Sequence, residues 1–267
     1  MASILSLLLA CTGEPSTPED TALLTETDTD PPDEDDTGDT AEPTPMASLT
    51  GTLTDADGAP TEGVRVNVCR VLCKTVQTDA GGAWGFAAIE AWTAMFYVTP
   101  AASTGFATPM GVLTLAEDEE RVLDVVLDTF DPPRPLPSSA SEVEVSDGLF
   151  LTLGADILEP APLTDLPSEV AAVRVPTAHR LPVELDGELL DTWYLSPWEA
   201  TSESGVGVRL ANTWGLAPGD RARVWAASEP TTYAWLDAGE LVVTEDGLML
   251  EGDVALPILT TLALVRE

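Results

Sequence analysis

The sequence predicts an all-β protein: two β-sandwich-type domains behind a short apolar leader and an acidic disordered tether. Three observations predict it. Apolar residues alternate with polar ones, period two, through much of 47–267. Turn residues, chiefly Asp, Gly and Pro, interrupt these runs at short intervals. No long window carries the apolar period of about 3.6 residues that a helix needs. Hydrophobic residues are 44% of the chain, enough for a core, and 267 residues allow one large domain or two ordinary ones.

Charge removes whole classes of partner. Asp and Glu total 46 against 11 Lys and Arg, a formal net charge of −35. That field repels nucleic acid and anionic lipid headgroups, so no nucleic-acid partner is expected. His179 is the single histidine. Most acid–base, nucleophilic and zinc sites use histidine, so neither such a site nor a cofactor is expected.

Residues 1–11 form the leader. Ile4 to Ala10 is an apolar run of seven residues ending at Cys11. A bilayer span needs about 20 residues, so the run reads as the end of a secretory signal. The string Leu8-Leu9-Ala10-Cys11 resembles the lipobox of bacterial lipoprotein precursors. The resemblance implies cleavage before Cys11, a diacylglyceryl group on its sulfur and an acylated amine. Several acyl chains on one residue anchor stably where one would be marginal. The expected location is the cell envelope, lipid-anchored at the outer membrane or cell surface.

Residues 12–46 hold twelve acidic residues and no basic one, set in Thr and Pro. Such a stretch buries almost nothing and repels itself, so it reads as an extended tether. Two motifs in it mislead. Asp36-Thr37-Gly38 matches an aspartic-protease tripeptide but lacks apolar flanks and a second buried copy. Asp28, Asp30, Asp33 and Asp35 lack the glycine and terminal glutamate of an EF-hand loop.

Residues 47–128 read as the first β-sandwich. Strands are predicted at Ser48–Thr54, Val64–Cys69, Lys74–Thr78, Trp84–Ala88, Met95–Thr99, Gly111–Leu115 and Arg121–Leu127. Gly51-Thr52-Leu53-Thr54-Asp55-Ala56-Asp57-Gly58-Ala59-Pro60, Gly63-Val64 and Thr78-Asp79-Ala80-Gly81-Gly82-Ala83-Trp84-Gly85-Phe86 resemble the carboxypeptidase regulatory-like domain. Tyr97 stands where that family has a late strand tyrosine. The resemblance covers about 80 residues of this region and implies a transthyretin-like sandwich serving as a structural or binding accessory.

Cys69 and Cys73 end adjacent predicted strands, separated by Arg70-Val71-Leu72. Antiparallel partners flanking a short hairpin loop are close enough for a disulfide, and export supplies the oxidising compartment. With Cys11 lipidated, the count of two closes. A metal or redox C-x-x-x-C is the rival, without histidine or further thiols to support it. The closed loop is short, so the bond should add only about 2 kcal/mol.

Residues 129–140 read as a linker, with four prolines between Pro132 and Pro137 favouring a stiff, extended connection. Residues 141–267 read as a second all-β domain of no identified family, a sandwich or partly open barrel. Asp186-Gly187, between predicted strands Val183–Leu185 and Leu189–Leu190, and Asp246-Gly247, between Leu241–Thr244 and Leu248–Leu250, each signal a tight hairpin. Five of the seven tryptophans lie here: Trp193, Trp198, Trp214, Trp225 and Trp235. Their leading reading is core or core cover. The competing reading is a sugar platform, with Trp198, Trp214 and Trp235 as ligand-binding candidates. Trp225 runs out of phase with Ala222, Val224 and Ala226 and so points outward.

The sequence carries no familiar catalytic motif. Ser202 and Ser204 lack the preceding glycine of a nucleophile elbow, and Gly205-Val206-Gly207 lacks the third glycine of a dinucleotide loop. Glu142 and Glu144 share a strand face, but a glycosidase needs two carboxylates across a cleft. The predicted function is a non-catalytic, lipid-anchored envelope protein displaying β modules for structural or adhesive binding to a glycan or protein at the cell surface. One alternative is a carbohydrate-binding accessory using exposed tryptophans; the other is a carboxylate- or calcium-dependent hydrolase.

Overall fold

The structure, a computed structural model, describes residues 44–162, 164–165, 168–228 and 233–267. Cys11, the lipobox and the acidic run up to Pro43 lie outside the described residues. The protein is all-β, with strands throughout and helix limited to two short 3-10 turns among the described residues.

Eight strands build the first half: β1 (Met46–Asp55), β2 (Arg65–Cys69), β3 (Cys73–Gln77), β4 (Ala83–Glu90), β5 (Thr93–Thr99), β6 (Met110–Thr114), β7 (Glu120–Val122) and β8 (Val125–Leu127). One sheet runs β3-β2-β5-β6; the other runs β4-β1-β7, with β8 also on β1. Alternation places Leu49, Leu53, Trp84 and Phe86 between the sheets with Val66, Phe96 and Val98. Two aspartates build matching turns. Asp55 Oδ1 accepts the Asp57 and Ala59 amides at 3.0 and 2.8 Å. Asp79 Oδ1 accepts those of Gly81 and Ala83 at 2.8 and 2.9 Å. The predicted strand Arg121–Leu127 divides into β7 and β8. At the break, Asp124 Oδ1 accepts the Thr52 amide (2.9 Å) and hydroxyl (2.7 Å), and Leu123 lies tight against Gly51 of β1.

The second half contains β9 (Arg134–Pro135), β10 (Ser141–Ser146), β11 (Leu149–Leu153), β12 (Glu169–Arg174), β13 (Glu188–Ser196), β14 (Ala200–Ala211), β15 (Arg221–Ala227), β16 (Trp235–Val243), β17 (Met249–Val254), β18 (Leu256–Leu259) and β19 (Thr261–Arg266). Its antiparallel sheet runs β10-β11-β14-β17-β16-β15-β19-β13-β12-β9, with β18 also on β14. β10 comes alongside β12, so the sheet curls towards closure around one core. The Asp246-Gly247 signal is a hairpin turn between β16 and β17: the Thr244 hydroxyl and Leu248 amide donate to Asp246 Oδ1.

The halves touch. β5 and β6 give Met95, Met110 and Val112 to an apolar cluster shared with Ala227, Trp235 and Ala263 of the second sheet. The Thr261 hydroxyl donates to the Met110 carbonyl at 2.6 Å in this buried seam. Residues 129–140 are tied down: the Asp131 amide donates to Ala172 O (3.0 Å), Leu136 to Ser168 O (2.8 Å), and β9 pairs with β12.

One predicted hairpin is absent. Val183–Leu185 is not a strand and Asp186-Gly187 does not turn it onto β13. Packing overrides the local signal here. Leu181 is buried in the first core, and Glu184 accepts the Thr114 amide (3.0 Å) and an Arg121 guanidinium bond (3.1 Å). Residues 180–187 therefore form a strap laid across to β6.

Candidate functional site

A cleft lies between this strap and the outer face of β15, β16 and β19. It holds about 970 Å³ and is lined by Glu184, Leu185, Asp186, Gly187, Arg223, Trp225, Asp237, Val265 and Glu267. Strand alternation fills it: Ala222, Val224 and Ala226 go to the core, so Arg223 and Trp225 take the opposite face. Trp225 is half-buried, packed partly against the shared apolar cluster.

A β-bulge sets the carboxylate opposite. Val224 pairs with Gly239 but Trp225 pairs with Asp237, so Ala238 is the extra residue. Gly239 has φ +125°, and a side chain there would run into the Asp253 carbonyl. Asp237 Oδ1 accepts the Gly239 amide at 3.0 Å, while Oδ2 takes Arg223 Nη1. Arg223 Nε donates to Glu267. Glu267 first, then the Asp237 charge, raises the guanidinium pKa above its ordinary value. The result is a cation clamped by two carboxylates beside an indole.

The clamp recurs. Arg209 donates to Glu142 (2.6 Å) and Glu251 (3.3 Å) and covers the Phe150 ring at 4.9 Å. Arg121 donates to Glu119 (2.6 Å) and to Glu184. Glu142 is thus spent on Arg209, and Glu144 accepts the Gly148 amide at 3.2 Å; the two acids form no pair.

A second polar cluster is closed. Asp191, side chain 1% exposed, accepts Arg174 Nε at 2.6 Å, Arg180 Nη2 at 2.6 Å and the Trp214 indole N–H at 3.2 Å. The Arg180 guanidinium also reaches the Val175 and Leu190 carbonyls, and Arg174 reaches the Thr213 hydroxyl. Nearby, His179 Nδ1 meets Asp128 at 2.9 Å. Burial, and then the Asp128 charge, pushes the Tyr194 phenol far above its ordinary value. Among the described residues no group of three or more His, Cys, Asp or Glu could hold a metal ion.

Of the three tryptophans that are ligand-binding candidates under the competing reading, Trp235 is 9% exposed in the shared cluster. Trp198 packs on that cluster and against Tyr97, ring centres 5.4 Å apart. Trp214 roofs the Asp191 cluster, edge-on to Trp193 at 6.2 Å. Trp214 lies on the main core and the other two on the shared cluster, so the three do not form one face. Cys69 and Cys73 are disulfide-bonded across the β2–β3 hairpin, Cα atoms 4.0 Å apart. Sequence reading found the outward phase of Trp225 but not its partners. Glu184, Asp237 and Glu267 come from three separated segments with no shared motif.

No family model matches the chain, and no curated protein matches it. Among solved structures, a candidate carbohydrate-binding protein from Bacteroides uniformis is 11% identical, covering 83% of this chain and 80% of its own, with a TM-score of 0.27. The Bacillus cereus major pilin subunit BcpA is 10% identical over 79% of this chain and 85% of its own, TM-score 0.27. A streptococcal ancillary pilin is 12% identical over 80% of this chain and 51% of its own, TM-score 0.24. Likenesses at this level bear on neither ligand nor assembly.

Proposed function

We propose that the chain is a non-catalytic binding or adhesive module of the cell envelope, held by lipid on Cys11 and kept off the membrane by residues 12–46. The observation that carries this reading is the Cys69–Cys73 disulfide, because such bonds persist in oxidising compartments outside the cytosol. The string Leu8-Leu9-Ala10-Cys11 supports the anchor. The paired Asp55 and Asp79 turns support reading the first half as a carboxypeptidase regulatory-like accessory. Its role is to present a rigid β surface and the Trp225 cleft to ligands outside the cell.

Radiolabelled palmitate tests the anchor. Cells expressing the parent chain should yield labelled protein, and a Cys11→Ala variant should yield none. An unlabelled parent removes the lipid anchor from the reading.

A further inference from the structure

We propose that the cleft under the 184–187 strap binds a neutral oligosaccharide, with Trp225 as the stacking surface and Arg223, Asp237 and Glu267 as hydrogen-bonding groups. The inference rests on the reading of the chain as a binding module and names a ligand class and site for it.

Charge selects the ligand. Arg223 is matched by Asp237 and Glu267, and Glu184 by Arg121. Three of the four cleft carboxylates are engaged by guanidiniums and Asp186 has no ion pair among the described residues, so the lining is net negative and disfavours an anion. A cationic ligand would meet the Arg223 guanidinium beside the indole. An anionic one would meet the field of a chain with net charge −35. A pyranose carries no charge. It offers C–H groups to an aromatic face and hydroxyls that both donate and accept. The guanidinium supplies donors, and the carboxylates are acceptors.

Size and rigidity agree. About 970 Å³ is at the upper end of ordinary small-molecule sites and accommodates more than one sugar ring. The rim is fixed before any ligand arrives, which lowers the entropy cost of binding. Asp237 is set by the Ala238 bulge and its bond to the Gly239 amide. Gly187, at φ +109°, brings the strap so close to the end of β19 that a side chain would strike the Arg266 carbonyl. The Arg209 clamp shows what the carboxylates and cation look like alone: its aromatic neighbour, Phe150, lies under the guanidinium.

The test uses the full chain carrying Cys11→Ala, so that lipidation plays no part. Calorimetric titration is run with cellohexaose, mannohexaose, a hexamer of N-acetylglucosamine, and polygalacturonate as the charged control. At least one neutral hexamer should bind, polygalacturonate should not, and Trp225→Ala should weaken the interaction about tenfold or more. Asp237→Asn should weaken it as well, and decides the matter if Trp225→Ala does not fold. Arg209→Ala should bind like the parent. The proposal is overturned if no neutral hexamer binds, if polygalacturonate alone binds, or if Asp237→Asn and a folded Trp225→Ala match the parent. Glycan binding that survives both substitutions sinks this cleft while leaving the binding-module reading intact. The anchor stands or falls separately, on the palmitate label.

Discussion

Two charge clusters in the second half are mirror images. At one, a carboxylate, Asp191, sits between two guanidiniums, Arg174 and Arg180. At the other, a guanidinium, Arg223, sits between two carboxylates, Asp237 and Glu267. Each has a tryptophan beside it. The difference is water. The Asp191 carboxylate is sealed, 1% exposed, with Trp214 donating to it, the Arg180 guanidinium also held by two carbonyls and Arg174 by a hydroxyl. Arg223 lines an open cleft. The buried Asp191 carboxylate is fully engaged by its own neighbours, so its work is holding β12, β13 and the 175–181 segment together. An open cluster is screened, contributes little to stability and leaves lone pairs and an indole for a ligand.

The largest effect should come from breaking the closed cluster. Asp191→Ala leaves two guanidiniums facing each other without their counter-charge. An uncompensated buried charge costs about 3–5 kcal/mol; Arg180 carries that cost, while Arg174, 36% exposed, is partly relieved by water. The measurement is the midpoint of urea unfolding. A loss below about 1 kcal/mol would mean that solvent already reaches Asp191, and the contrast between the clusters would collapse. The second effect is a near absence. Arg223→Ala should leave the urea midpoint where the parent has it while weakening neutral-glycan binding. A fall in midpoint comparable to that of Asp191→Ala would make the open clamp a structural device too.

The contrast also explains what was legible in the amino acids. Period-two alternation and Asp–Gly turns located β1 to β6 within a few residues, because neighbours along the chain decide those elements. The Asp246 turn was legible for the same reason. The 180–187 strap was not: Val183-Glu184-Leu185-Asp186-Gly187 is a sound hairpin signal, overruled by Leu181 entering the first core and Glu184 capping Thr114. Asp191 looked like any acid in an acidic chain. Only folding brings Arg174, Arg180 and Trp214 to it, and no spacing records that meeting. Trp225 showed its outward phase, whereas Trp198, Trp214 and Trp235 stood out only as aromatic residues. Their surroundings are set by the seam between the halves and by the Asp191 cluster, which are properties of the folded chain.

The smallest expected effect sits in the Arg121 clamp, and its sign follows from proton linkage. The Ala116 amide first, and the Arg121 guanidinium next, hold the Glu119 carboxyl below its ordinary value near 4.5. Folded protein therefore binds this proton less readily than unfolded chain. The stabilisation is complete above the ordinary value and is lost as pH falls through the depressed one. Glu119→Gln should thus melt slightly below the parent at neutral pH, and the two curves should converge on acidification. Arg121 also grips Glu184, so this clamp ties the strap that roofs the Trp225 cleft to the first half. Melting points of parent and variant across the acid range decide it. A gap that persists unchanged at the lowest pH would assign the loss to packing of the Glu119 side chain rather than to its charge, and the Arg121 clamp would then differ in kind from the one at Arg223.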